Sequence, residues 1–283
     1  LKNRAKLLAY PYIVWMAIFI VIPLLLVFFY SITSGNIYEP SSLSFTLEHY
    51  SKFFDMLYLN VIWKSFRLAI ISTVLCLVLG YPVAYIISKS KQKHRSLLLL
   101  FFLLPIWMNF LLRTYAWMAI LSPNGFLNKA LEFFGLPPIE IMPGQTAVVL
   151  GMIYNFLPFM VLPIYTVLSK IDKNVLEAAA DLGANSFITF IKIILPLSVP
   201  GIVTGITMVF MPAVSTFVIS RLLGGGKELL IGNLIEQQFT IYRDWHFGSA
   251  LSIILMIMIL VSMAIMSKVD NNNNDDEGRT AMW

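Results

Sequence analysis

Six long apolar stretches, at about 11–30, 68–87, 97–121, 146–168, 197–220 and 247–266, limit this chain's possible folds more than any other feature. A helix rises about 1.5 Å per residue, so about 20 apolar residues cross a hydrocarbon core about 30 Å thick. Hydrophobic residues make up 58% of the 283 and charged residues 12%, too little charge to cover the surface of a soluble domain of this size. In lipid every backbone polar group must find its partner within the protein, and a helix does this locally. The expected fold is therefore an all-α membrane protein with six transmembrane helices in one domain. Lys2, Arg4 and Lys6 precede the first stretch as they would a signal peptide. That stretch is longer than the usual signal and no small-x-small cleavage site follows it, so it reads as a retained helix.

Basic residues orient the bundle. Twelve of the 20 Lys and Arg fall on one proposed side: Lys2, Arg4, Lys6, then Lys89, Lys91, Lys93, Arg95, then Lys170, Lys173, Lys192, then Lys268 and Arg279. The 88–96 connection holds four of them and no acid. The positive-inside rule makes this side cytoplasmic, and an even number of crossings puts both termini there.

Prolines lie in or beside five of the six stretches, at Pro11, Pro23, Pro82, Pro105, Pro158, Pro163, Pro200 and Pro212. Inside a soluble helix each would cost about 3 kcal/mol, whereas a bundle can satisfy the freed carbonyl. On the outer side, 47–59 reads as an interfacial helix and 126–134 as a short helix among turn formers. The tail, 270–283, with Asn271–Asn274 followed by three acids, has nothing to bury and reads as disordered. Cys76 is the only cysteine, which excludes an internal disulfide, and its apolar setting suits a small buried side chain. His49, His94 and His246 are far apart in sequence and are expected at the surface or interface.

The cytoplasmic connection 169–196 differs from the others. Asn174–Leu182 has high helix propensity, with Leu176, Ala179 and Ala180 on one face and Glu177 and Asp181 on another. Gly183 suits a left-handed C-cap, and Asn185 or Ser186 can cap a second helix, Phe187–Ile194, with Pro196 ending it at the membrane. Two short helices set at an angle by a glycine make a projection whose apolar faces need a partner. On these residues alone, a docking element for a cytoplasmic protein and a connector lying on the headgroups both fit.

The same loop reads Glu177-Ala178-Ala179, three residues, Gly183, nine residues, Ile193, one residue, Leu195-Pro196. In this it resembles the inner-membrane permease subunits of ATP-binding-cassette (ABC) importers, which carry that signature at that spacing in that loop. The resemblance implies a type I importer permease fold with a cytoplasmic coupling helix. Glu177, Ala178, Ala179, Gly183, Ile193, Leu195 and Pro196 would form the ATPase-coupling element. It also implies partners: a homologous second permease, two ATPase subunits and an extracellular or periplasmic substrate-binding protein, in the cytoplasmic (inner) membrane of a bacterium. No nucleic acid is implied. ATP and Mg would be used by the ATPase, with no cofactor on this chain and no catalytic or metal residues. Consistent with that, Gly226-Lys227 is followed by Glu228 and Arg221 stands five residues before Gly226, so the phosphate-loop pattern fails at both anchors.

A finer resemblance is to the polyamine branch of that family, the first permease of spermidine/putrescine importers. It is carried by Leu79–Tyr85, Leu104–Asn109 with Leu112–Tyr115, Leu157–Tyr165, Leu223–Lys227, Leu230–Asn233 and Arg243–Gly248. A polyamine is a multivalent cation on a methylene chain, so its path should offer acceptors and aromatic faces. Candidates are Trp107, Asn109, Tyr115, Tyr154, Asn155, Glu236 and Asp244, with Glu228 also toward the outer side. None of the six apolar cores contains a carboxylate, and Arg113, the one charge well inside a span, would repel a polyamine unless paired. Two alternatives stand beside this one: the same machinery importing ferric iron, thiamine or phosphonate, and a non-conducting membrane assembly subunit. A membrane enzyme fits poorly, because the spans lack a clustered His, Asp or Glu set.

Overall fold

The computed structural model describes residues 10–37 and 39–280. Lys2, Arg4 and Lys6, on which part of the charge orientation rests, lie outside them, as does the end of the tail, 281–283. Apart from one two-residue ribbon, in which Thr33–Ser34 (β1) pairs antiparallel with Ser44–Phe45 (β2), the regular structure is helical. Five helices are long and apolar enough to cross a membrane: α1 (Tyr10–Ser31), α3 (Met56–Lys89), α7 (Gln145–Leu168), α9 (Ser186–Ser215) and the Trp245–Lys268 part of α12 (Trp245–Thr280). A sixth crossing is counted if α4 (Gln92–Trp107) and the helical chain Phe110–Phe133 are taken together, although they meet at 93°. Sequence points to one domain, but by internal contacts the chain divides into two compact units. One comprises the chain up to Ile62 with Leu234–Ile259, the other Trp63–Asn233 with the chain from Leu260 onward.

In the first unit α1 buries almost nothing within this chain: among its described residues only Ser31 is buried. The interfacial helix expected at 47–59 is broken. A short α2 (Glu48–Lys52) ends in a turn, and α3 begins at Met56, well before the expected start of the second span at 68. The expectation of surface histidines fails for two of the three. His49 and His246 are each only 7% exposed and their rings stack at 5.8 Å. The β1 turn brings them together: His49 Nε2–H donates to the Thr33 carbonyl at 3.1 Å, while His246 places Nδ1 at 3.0 Å from the Tyr30 carbonyl and Nε2 at 3.1 Å from that of Gly35. Backbone carbonyls around the β1 turn engage three of the four ring nitrogens, while His49 Nδ1 is buried without a partner among the described residues.

In the second unit α7 is the core helix, with 56% of its most apolar stretch buried, and its main partner is α9. The pair comes close through small residues four apart. A Cβ added at Gly201 would lie 3.0 Å from the Pro163 carbonyl oxygen, and one at Gly205 would lie 2.8 Å from Met160 Sδ. Without a hydrophobic drive between helices in lipid, such close approach is what supplies packing energy. The third span, expected to be continuous over 97–121, is broken at Met108 and Asn109, whose ψ values of 145° and 130° are extended. Asn109 Oδ1 accepts the Leu111 and Leu112 N–H groups at 2.8 and 3.4 Å, so it starts α5 (Phe110–Leu121) as a new helix. A short α6 (Phe126–Phe133) follows.

The fifth span also departs from its expected 197–220. It ends at Ser215, where Thr216 turns extended (ψ 137°), and α10 (Val218–Leu223) is separate. Asn233, near the start of α11 (Ile231–Gln237), holds this break. Its Nδ2–H donates to the Phe217 carbonyl at 2.8 Å and its Oδ1 accepts the Leu230 N–H at 3.2 Å. At the other end, Pro196 does not stop a helix. A π turn at Phe190–Ile194 has Leu195 N–H bonding back to the Phe190 carbonyl, which widens the helix just before the proline. The i−4 carbonyl then escapes the ring, and the helix continues through the position that would otherwise break it. The same arrangement recurs in α1, where the π turn Ala17–Val21 directly precedes Ile22 and Pro23. In the tail, the backbone of α12 continues as helix to Thr280 where a disordered segment is expected; extending a formed helix costs far less than nucleating one.

Candidate functional site

The connection after α7 folds into two short helical pieces. Asp172 Oδ1 accepts the Asn174 N–H at 3.0 Å and so caps α8 (Lys173–Asp181). Gly183 ends it with φ +78°: its N–H donates to Ala180 and that of Ala184 to Ala179, at 2.9 and 3.0 Å. That pair of bonds defines a Schellman stop, and the left-handed residue it needs is best supplied by glycine. Asn185 Oδ1 then accepts the Ile188 N–H at 2.8 Å and caps the first turn of α9. The second piece is thus the start of α9 itself, continuous with the rest of that helix through the π turn.

The side chains sort by face. Glu177, Ala178, Asp181 and Gly183 are exposed, whereas Ala179 is only 6% exposed and packs into its own chain. Ala179 therefore cannot touch a partner directly as the loop now stands; Ile193 is half-buried, and Leu195 and Pro196 are exposed at the π turn. Two residues outside the candidate set stand out. Leu182 is 89% exposed and Phe187 71% exposed, on either side of Gly183. Large apolar side chains so placed on a polar projection mark a surface that expects cover. A signal for them was available in their position, one on each side of the glycine stop.

Phe190, in the second of these helical pieces, is half-buried. Tyr81 and Tyr85, one turn apart on α3, meet its ring edge-on at 5.8 and 5.6 Å, and the Tyr81 hydroxyl lies 2.9 Å from Ser198 Oγ. The end of α9 is therefore clamped to α3. The loop is thus joined to two long helices through packed rings, in an interior dense enough to resist their separation. No sequence pattern predicts this clamp, since its members lie more than 100 residues apart.

The substrate-path candidates divide between the two units. In the second, Trp107 is 75% and Tyr115 48% exposed, flanking the break that Asn109 caps. Tyr154 stacks edge-on with Trp117 at 5.2 Å, and Asn155 is buried, its Nδ2–H donating to the Gly151 carbonyl. Arg113 is 8% exposed, and its Nε and Nη1 have no hydrogen-bond acceptor among the described residues. Glu228 is engaged by Lys64 at 2.6 Å and so is not a free acceptor for a cation. In the first unit Glu236 is half-buried, and Asp244 Oδ1 accepts the Phe247 N–H at 3.0 Å, capping α12. No three His, Cys, Asp or Glu side chains group as metal ligands among the described residues.

The family described as "binding-protein-dependent transport system inner membrane component" matches residues 2–272. The chain is 42% identical over 247 residues to the spermidine/putrescine transport system permease protein PotB of Haemophilus influenzae, covering 87% of this chain and 86% of that one. It is 44% identical over 247 residues to PotB of Escherichia coli K12, covering 87% and 90%. Among solved structures, a bacterial ABC transporter for the acidic polysaccharide alginate superposes with a TM-score of 0.80 over 96% of both chains at 18% identity, a likeness of fold alone. The chain therefore belongs to the binding-protein-dependent transport system inner membrane components, as a multi-pass inner-membrane permease subunit of an ABC import system.

Proposed function

We propose that this chain is one of two permeases of an ATP-driven polyamine importer, moving spermidine and putrescine across the cytoplasmic membrane. The single observation that carries the substrate is the 42–44% identity, over nearly the whole length, to permeases of spermidine/putrescine systems. In this reading both termini and the α7–α9 loop are cytoplasmic. The loop receives an ATPase subunit on Leu182, Phe187, Glu177 and Ala178, while a second permease completes the pore. When ATP draws the ATPases together, the loop follows them. The Phe190 ring then carries that movement into α3 and α9, changing which side of the pore is open.

The residues support the cargo modestly. Trp107 and Tyr115 present aromatic faces to a cation at the break in the third span, where Asn109 starts a new helix. None of the six apolar stretches holds a carboxylate at which a cation would dwell, which leaves selection to an external binding protein. Reconstitution of this chain with its second permease, ATPase and binding protein in vesicles tests the proposal. ATP-dependent uptake of labelled spermidine or putrescine is expected. Uptake of ferric iron, thiamine or phosphonate instead would reassign the cargo. Undiminished polyamine uptake by the second permease without this chain would make it an assembly subunit.

A further inference from the structure

At the foot of the coupling loop lies a cavity of about 100 Å³ that the transport mechanism leaves unused. Ser88 and Lys89 from the end of α3, Arg95 from the start of α4, Ser169 from the end of α7, and Lys173 with Leu176 from α8 line it. All belong to the second unit. Three cations line it and no carboxylate does; Tyr85 is also in the lining, and the Ser88 and Ser169 hydroxyls already donate to the Tyr85 and Thr166 carbonyls.

Local structure accounts for only part of this charge. One edge of Arg95 is used: Nη2–H donates to the Ser88 carbonyl at 2.6 Å. Its Nε is buried with no acceptor. Lys89 Nζ stands 5.7 Å from the Tyr85 ring centroid, too weak a partner to neutralise it. The nearest acid in sequence, Asp172, is turned to Asn174, which it meets through both carboxylate oxygens at 3.0 and 3.3 Å. A buried N–H left without an acceptor is costly, and like charges held together add to that cost. Both costs vanish if an anion with several acceptor oxygens enters.

Size and place narrow its identity. At about 30 Å³ per water, the cavity admits a group of about three waters' volume, which suits a phosphate and not a nucleotide. It lies where α3 and α7 end and α4 starts, on the basic side of the chain; with the loop read as cytoplasmic, that is the side of the inner-leaflet headgroups. Basic pockets between helices at the cytoplasmic face are favourable seats for anionic headgroups. We propose that this cavity seats the phosphate of an anionic phospholipid of the cytoplasmic leaflet, which ties α3, α4 and the coupling helix together. This rests on the reading that the loop is cytoplasmic.

The test uses the assembled transporter in nanodiscs of phosphatidylcholine containing phosphatidylglycerol, with retained lipid counted by native mass spectrometry. Lys89→Gln with Lys173→Gln leaves the Arg95–Ser88 bond intact and should weaken phosphatidylglycerol retention about 30-fold, from about 1 kcal/mol per basic residue. Lys170→Gln with Lys192→Gln removes the same charge outside the cavity lining and should retain the lipid. Equal retention by both double variants and the wild type would overturn the site. Displacement of the lipid by millimolar inorganic phosphate would overturn its assignment to a lipid. Spermidine uptake in the same nanodisc-derived vesicles separates the two proposals: retention of phosphatidylglycerol without uptake would sink the cargo and leave the lipid site standing.

Discussion

Replacing Phe190 with alanine cuts the aromatic clamp between the start of α9, which we propose couples to the ATPase, and α3. Two edge-to-face pairs are lost, with Tyr81 at 5.8 Å and Tyr85 at 5.6 Å. Each such pair contributes about 0.5–1.5 kcal/mol beyond its buried area. A fully buried Phe→Ala change costs about 3–5 kcal/mol, and Phe190 is half-buried, so the clamp should weaken by about 2–3 kcal/mol. At 1.4 kcal/mol per tenfold, the clamped arrangement loses roughly a factor of 30–140 against unclamped ones. Leu182 and Phe187 are untouched, so the ATPase should still bind. The assay is ATP hydrolysed per spermidine imported in reconstituted vesicles, expected to rise several-fold, with Phe190→Leu intermediate. An unchanged ratio in a variant that assembles normally would refute the idea that this ring transmits the stroke.

Leu182→Asp with Phe187→Asp should strip the apolar cover from the projection and lower co-purification of the ATPase without unfolding the permease, whose core neither residue enters. Gly183→Ala puts a Cβ in open space but at φ +78°, so its cost of about 1–2 kcal/mol is purely conformational and should show as weaker coupling with normal membrane insertion. Gly205→Val should force α9 off Met160 of α7 and lower the thermal stability of the detergent-solubilised chain by about 1–3 kcal/mol. Asp244→Asn keeps a good N-cap for α12 while removing its charge, so stability should hold; reduced spermidine uptake is expected if the carboxylate guides the cation, and unchanged uptake would remove Asp244 from the path.

Helix-forming apolar stretches were legible because burial in lipid is a matter of local composition. The stop at Gly183 and the caps at Asp172 and Asn185 are likewise local: a few neighbouring backbone groups and one side chain decide them. The signature from Glu177 to Pro196 that carries the family resemblance was legible for the same reason, being written within 20 consecutive residues. Composition is silent, however, on whether an apolar run stays straight. The stretches on either side of Met108 and Asn109 are both apolar, yet the chain turns by 93° there. Pro196 misleads in the opposite sense, since the preceding π turn lets the helix pass through it.

By itself, the sequence determined that this chain lives in a membrane, that its loop after the fourth span is a two-part helical projection, and to which family it belongs. Those properties depend on residues close together along the chain. Only the tertiary structure decided that Ala179 faces inward while Leu182 faces out, that Phe190 is gripped by Tyr81 and Tyr85, and that His49 stacks on His246. It also gathered Lys89, Arg95 and Lys173 around one cavity. Apart from the facing of Ala179 and Leu182, each of these joins residues from separate helices, and the distance between them is set by how the helices pack or by how the β1 turn folds, which no local pattern encodes.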